Sequence, residues 1–368
     1  MRIGVDIRSL IEPFPSGVSE YTFNVLKYIL SHDKENKYIL FYNAKTEIDE
    51  KYSKIFSGNN VELKIWRWPN KFFNLALFIG AFFKIDKMIG GVDIFYMPNV
   101  NFFSISRKVK MILTVHDLSF LYPKYYNFKS GLWHKFIRPK QSIERANKII
   151  AVSESTKNDL VENYNISRDK VQVIYSGVDI KKYENLDNDK FERIKNRYKL
   201  DGNFFLYLGN VENRKNIEGI INAWEKLNIV HTYQLVIAGR INDSKIVKDY
   251  PDVNFINYVH ENDKAYLYKL AKAFVYPSFY EGFGLPVLEA MAAGCPVITS
   301  NSTSLPEVAQ KAALLVDPHN IEEIYKAMND IIINIELRRT LVNNAFSHIE
   351  KFNWNNTANQ MIKLFKEV

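Results

Sequence analysis

The stretch Tyr276–Glu289, YPSFYEGFGLPVLE, brings two carboxylates, two glycines and two prolines close together in the chain. Apolar residues run up to Tyr276 as they would in a buried strand. Gly282 and Gly284 then precede Pro286, whose missing N–H suits the first turn of a helix. A turn of this kind offers bare backbone N–H groups at the positive end of a helix, where a phosphate is favoured. Glu281 and Glu289 would repel a phosphate if they faced it, so they are expected to point to hydroxyls, and Glu289 suits a diol such as that of ribose. This division of labour predicts a nucleotide-sugar better than a bare nucleotide. Glycine-rich turns are common, however, and a plain helix-capping loop is the competing reading.

Two further segments supply charge. In YLGNVENRKN, Tyr207–Asn216, a strand ends at Leu208, Gly209 permits the turn, and Arg214 and Lys215 arrive at the start of the next helix. A guanidinium fork and a compact ammonium at a cleft edge fit a departing diphosphate. A solvated basic pair would sit there unfavourably, next to a helix N-terminus. In LTVHDL, Leu113–Leu118, an apolar strand delivers His116 and Asp117 to its carboxyl end; a structural histidine is the alternative to a sugar-facing one. Gly17, in Pro15-Ser16-Gly17-Val18, opens a helix after the first strand and gives a phosphate or acceptor access to the backbone there, or serves only as a turn residue.

Glu281-x7-Glu289, with GFGLPVLEAMAAGCPVITS over Gly282–Ser300, resembles the E-x7-E signature of glycosyltransferase family 4, and the likeness extends over nearly the whole chain. Ser176-Gly177-Val178-Asp179 stands where the family often has Asn-Gly-Val-Asp, Glu307 matches a family habit, and Ser16-Gly17 replaces a usual Gly-Gly. The resemblance implies an α/β GT-B fold, two Rossmann-like domains with the active site in the cleft between them. It implies a retaining transfer in which the leaving phosphate helps to deprotonate the acceptor. It assigns Glu281 to hydroxyls of the donor sugar and the N–H groups around Phe283, Gly284 and Leu285 to the diphosphate. Glu289 then binds ribose, Arg214 and Lys215 neutralise the diphosphate, and His116 faces the sugar. Within the family, MRIGVDIRSL and GNVENRKN look most like bacterial mannosyltransferases of polysaccharide and O-antigen synthesis, which points first to GDP-mannose and otherwise to a UDP-sugar.

The elements that must hold these residues alternate between β-branched runs and helical stretches, as parallel α/β architecture requires. The first series has strands at Arg2–Ile7, Tyr38–Tyr42, Glu62–Trp66, Ile94–Met97, Lys110–Val115, Lys148–Val152 and Val171–Ile174. A second series follows, with strands at Phe204–Leu208, Tyr233–Ala238, Val253–Ile256, Ala273–Tyr276 and Pro296–Thr299. Lys181–Leu200 is polar and reads as a linker with a short helix. The expected domains are 1–180 for the acceptor, 181–354 for the nucleotide-sugar, and a helix in 355–368 crossing back to the first. Asp187-Asn188-Asp189 has metal-binding spacing but lies in the polar segment without a strand, so no metal site is expected.

Composition bounds the remainder. Cys295 is the only cysteine, which excludes an intrachain disulfide and a thiolate metal cluster and fits a cytoplasmic setting; no secretory segment precedes the first strand. All of the net charge of +8 falls in residues 1–180, which hold 26 Lys+Arg against 18 Asp+Glu. Within 51–150 the basic residues alternate with aromatics: Trp66, Trp68, Tyr125, Tyr126, Trp133, His134 and Phe136. That surface suits a lipid-linked or phosphorylated acceptor, or an anionic membrane, and no nucleic-acid motif accompanies it. The apolar run 72–83 is shorter than the roughly 18 residues a spanning helix needs. It reads as a buried helix, or as one lying on a membrane face between Lys64, Arg67, Lys71, Lys84 and Lys87. The rivals to a transferase are a sugar-nucleotide epimerase or hydrolase on the same architecture, and a non-catalytic nucleotide-sugar-binding protein.

Overall fold

A computed structural model describes residues 1–11, 16–80, 83–122, 124, 136–200, 202–227, 232–241, 250 and 252–368. Pro15, Tyr125, Tyr126, Trp133 and His134, named above, lie outside the described residues. The chain forms two compact units. One runs through Met1–Pro123 and Asn127–Gly177 and ends with Trp354–Val368; the other is built on Val178–Asn353.

The first unit holds a parallel sheet of seven strands: β1 (Arg2–Asp6), β2 (Lys37–Asn43), β3 (Val61–Trp66), β4 (Ile94–Met97), β5 (Lys110–Val115), β6 (Lys148–Ala151) and β7 (Val171–Val173). Their order is β3-β2-β1-β4-β5-β6-β7. The central strands are buried on both faces, which explains why they read as unbroken apolar runs rather than alternating ones. Helix α1 (Gly17–His32) follows β1, α2 (Asn70–Ile79) follows β3, and α3 (Glu154–Tyr164) follows β6 on a Ser153 cap. The last helix of the chain, Trp354–Glu367, packs against α1; Thr357 donates to the Tyr175 carbonyl at 2.7 Å.

The second unit holds six parallel strands: β8 (Asn203–Leu208), β9 (Tyr233–Ala238), β10 (Val253–Ile256), β11 (Ala273–Tyr276), β12 (Val297–Ser300) and β13 (Leu314–Val316). Their order is β10-β9-β8-β11-β12-β13. Its helices include α4 (Asn188–Tyr198), α5 (Ile217–Lys226), α6 (Glu261–Leu270), α7 (Leu285–Ala292), α8 (Leu305–Ala309), α9 (Ile321–Ile333) and α10 (Ile335–Ile349). Two expectations change here. Much of the polar stretch Lys181–Leu200 is a regular helix, α4, which buries Ile194 and Tyr198 and packs against α6. Its first turn is capped by the Asp187 side chain, which accepts the Asp189 N–H at 3.0 Å. The run 72–83 is only in part a buried helix. Phe73 and Leu77 of α2 enter the core, while Phe72 (69% exposed), Leu75 (53%) and Ile79 (66%) face outward.

In both sheets the chain order reverses at the middle, between β1 and β4 and between β8 and β11. Loops leaving the carboxyl ends of two such neighbours diverge to opposite sides, and the crevice they open is the usual ligand position in a doubly wound sheet.

Candidate active site

The switch point of the second sheet collects most of the residues singled out above. The loop after β8 carries Gly209 and then Arg214 and Lys215, in a single helical turn before α5. The loop after β11 carries Glu281–Gly284 and leads into α7. The Phe279 N–H donates to the Arg214 carbonyl at 3.0 Å and ties the two loops together.

Their side chains form one cluster. Lys215 Nζ donates to Glu281 Oε1 at 2.5 Å and to the Tyr276 hydroxyl at 2.6 Å, and lies over the Tyr276 ring, 5.0 Å from its centroid. Arg214 Nη1 reaches Glu281 Oε2 at 3.1 Å and the Tyr280 carbonyl at 2.7 Å, and Nη2 reaches Glu212 at 2.9 Å. Lys215 and Glu281 are both buried, at 6% and 7% exposure. The basic pair is therefore not a solvated one. Burial by itself would raise the Glu281 carboxyl, but Lys215 and Arg214 outweigh it and hold the group down at about 2. Burial lowers the Lys215 ammonium, helped by Arg214 and opposed by Glu281. Glu281 thus points into the cations, not away from them.

Beyond that cluster, α7 starts with Gly284 at its N-cap, and no side chain caps it. Gly284 has φ +106°, a conformation that side-chain-bearing residues rarely adopt. Pro286 takes the second helical position, one residue later than the sequence suggested. Glu289, further along α7, is buried and its Oε2 accepts the Tyr268 hydroxyl at 3.0 Å. The two carboxylates thus have separate partners, Arg214 and Lys215 for Glu281 and Tyr268 for Glu289. Gly209 and Gly239 close the carboxyl ends of β8 and β9, and a Cβ on Gly239 would lie 2.0 Å from the Gly209 carbonyl oxygen.

His116 and Gly17 belong to the first unit. His116 leaves β5 half-buried, with Nε2 2.8 Å from the Pro98 carbonyl at the end of β4. A carbonyl only accepts, so Nε2 carries the proton and Nδ1 is left as an acceptor. Burial lowers the imidazole pKa, against the Pro98 bond, so the ring is neutral near pH 7. Its ring meets Tyr21 edge-on at 4.7 Å, one turn into α1 from Gly17. Gly17 is exposed, and a Cβ there would meet nothing within 4 Å. Asp117 turns away to accept the Ser119 N–H and hydroxyl at 3.0 and 2.5 Å.

Sequence reasoning missed Thr303 and Ser304, which follow β12, the neighbour of β11. The Glu281 N–H donates to Thr303 Oγ1 at 3.0 Å, and the Ser304 hydroxyl lies 2.9 Å from the Glu281 carbonyl and 3.0 Å from that of Phe283. Thr303 does so at φ +54°, unusual for a β-branched residue. The available signal was the polar run NSTS directly after an apolar strand. Replacing Ser304 by Ala removes the single hydroxyl proton that these two carbonyls share, a loss of about 1–3 kcal/mol. Its expected result is a several-fold weaker nucleotide diphosphate Kd by calorimetry with the fold retained; an unchanged Kd would show that the loop holds its shape without Ser304.

Two successive doubly wound units, the second with a buried cation–carboxylate cluster and an uncapped helix at its switch point, make up the two-unit architecture of the GT-B fold. The sequence profile of Glycosyltransferase Family 4 matches residues 15–182, and that of Glycosyl transferases group 1 matches 188–348. The chain belongs to glycosyltransferase family 4. It is 29% identical over 277 residues to O-antigen chain mannosyltransferase B of Escherichia coli, covering 72% of each chain. It is 32% identical over 271 residues to the serotype-specific mannosyltransferase WbdA of the same species, covering 70% of this chain but about a third, 33%, of that longer protein. Its fold matches Anabaena Alr3699/HepE, solved with UDP and glucose, at a TM-score of 0.73 and 14% identity over the full length of both.

Proposed function

We propose that this chain moves a hexose, in the first instance mannose from GDP-mannose, onto a glycan or lipid-linked oligosaccharide during cell-surface polysaccharide synthesis, at the inner face of the cell membrane. The observation that carries the reading is the buried Arg214–Glu281–Lys215 cluster beside the uncapped start of α7. Relatives described as mannosyltransferases support the sugar, and the fold neighbour solved with UDP and glucose supports the nucleotide-sugar class.

In this reading the diphosphate lies against the α7 N-terminus and the loop Gly282–Leu285, with Gly209 giving room on the other side. As the bond from the anomeric carbon to the diphosphate oxygen breaks, the electron pair leaves with the diphosphate, where Arg214 and Lys215 stabilise it. Glu281 keeps both cations in place and offers its remaining lone pairs to sugar hydroxyls; Glu289 takes the ribose. The acceptor oxygen bonds to the anomeric carbon on the face the diphosphate leaves, its proton passes to the diphosphate, and configuration is retained. His116, neutral, accepts from a sugar hydroxyl through Nδ1. No step calls on a metal.

The test is a thermal-shift and calorimetric panel of GDP-, UDP- and dTDP-sugars, then NMR of the product's anomeric centre with and without EDTA. GDP-mannose should bind tightest, with retention and an EDTA-insensitive rate. An inverted product would overturn retention. Release of free sugar at the same rate with and without acceptor would favour the hydrolase reading.

A further inference from the structure

Helix α2 presents two apolar faces. Phe73 and Leu77 enter the core of the first unit, whereas Phe72, Leu75 and Ile79, at i, i+3 and i+7, form an outward stripe. Aromatic residues border it: Trp68 (37% exposed), just before the helix, packs edge-on against Phe83 (37%), just after it, at 5.4 Å. Contacts also place cations around the helix. Lys71 lies in its first turn. Lys84 is anchored at its C-terminus by a 3.1 Å bond to Ser104 Oγ, which itself donates to the Gly80 carbonyl at 3.3 Å. The Arg138 guanidinium lies over the Phe78 ring, 3.7 Å from its centroid. A cavity of ≈640 Å³ opens beside the last turn, lined in part by Leu77, Phe78, Phe102 and Ile137 and by the cations Lys84 and Arg138.

Charge decides what covers this face. Residues 51–150 hold 17 Lys+Arg against five Asp+Glu, and Asp86, the acid beside Lys84 and Lys87, is buried with its carboxylate accepting the Ser106 N–H. A ring of like charges repels a second copy of the chain, while an anionic bilayer complements both the ring and the apolar stripe. Among the described residues no helix is long and apolar enough to cross a membrane. We infer that α2 seats this protein on an anionic phospholipid surface, with Phe72, Leu75 and Ile79 entering the headgroup boundary and Lys71, Lys84 and Arg138 meeting lipid phosphates. The proposed lipid-linked acceptor gives this docking its purpose, but the docking is measured without it.

The full chain is sedimented with phosphatidylcholine vesicles with and without phosphatidylglycerol, in the absence of donor and acceptor. Binding should be at least about tenfold stronger with phosphatidylglycerol and fall with added salt. Phe72→Ser with Ile79→Ser should weaken it about tenfold at an unchanged thermal midpoint, and so should Lys71→Glu with Lys84→Glu, whose thermal midpoint falls only by the loss of the Lys84–Ser104 bond. No preference for phosphatidylglycerol, or pelleting that survives both pairs of substitutions, overturns the inference. So does a dimer in analytical ultracentrifugation that Phe72→Ser with Ile79→Ser dissociates, which would make the face a contact between copies. Failure to bind vesicles leaves the transferase reading standing, whereas a chain that binds vesicles yet transfers no sugar counts against that reading alone.

Discussion

Lys215→Met should destabilise the protein by about 3–5 kcal/mol and lower kcat/KM by at least about a hundredfold. The stability loss comes from Glu281, which is 7% exposed and holds its negative charge because Lys215 and Arg214 oppose burial. Without Lys215, Arg214 at 3.1 Å is the remaining cation, and it is shared with Glu212. Met fills a similar volume, so the loss reports charge more than packing. Glu281→Gln in the same chain removes the stranded carboxylate, and the double variant should recover much of the stability while transfer stays impaired. Urea unfolding of the four proteins measures the first effect and steady-state kinetics the second. A Lys215→Met protein as stable as the parent would show that the carboxylate is solvated in a way the geometry does not suggest.

The same pair sets a pH dependence whose direction follows from the Glu281 shift. The carboxyl is lowered from its ordinary value of 4.5 to about 2 in the folded chain. A depressed acid stabilises the fold fully above its unfolded pKa, and this contribution is lost as pH falls through the folded one. The stability difference between the parent and Glu281→Gln should therefore be full above about pH 5 and disappear as pH falls toward 2. At neutral pH the shift corresponds to about 3 kcal/mol, from roughly 1.4 kcal/mol per pKa unit.

The sheets were legible in the sequence because a parallel strand buried on both faces leaves an apolar run with turn residues at its ends. Ile94–Met97, Lys110–Val115, Tyr233–Ala238, Val253–Ile256 and Ala273–Tyr276 coincide with their predicted bounds. The strand β13 and the full extent of α4 were not. The strand β13 is three residues long and only partly buried, and α4 owes its place to two residues, Ile194 and Tyr198, packed among charges. For the site, residue types and spacing singled out two loops that the sheet brings together, but not how their side chains pair. That two carboxylates must avoid a phosphate is sound electrostatics. It does not disclose that Glu281 avoids it by bonding the two cations, while Glu289 bonds the Tyr268 hydroxyl. Thr303 and Ser304 were invisible for a different reason: they act through backbone groups of another loop, brought near only because β12 lies beside β11.

Gly284→Val should remove most donor binding and destabilise the chain by about 2–4 kcal/mol, through two costs that can be separated. The first is conformational: φ +106° with ψ 45° is glycine's territory, and a β-branched side chain is strained there whatever the space around it. The second is steric, because a Cβ at Gly284 would stand 2.7 Å from Leu305 Cδ2, and Leu305 at the start of α8 is fully buried with little freedom to withdraw. Leu305→Ala opens that space at a cost of its own, so the comparison is a cycle of four proteins. Stability in the double variant should exceed the additive expectation, since the clash is gone, but donor affinity should stay low, since the strained backbone still rotates the N–H groups that precede α7. Calorimetry with nucleotide diphosphate reads the affinity and urea unfolding the stability. If Leu305→Ala restored binding as well, the loop would owe its function to room alone, and backbone direction at Gly284 would have no part in holding the diphosphate.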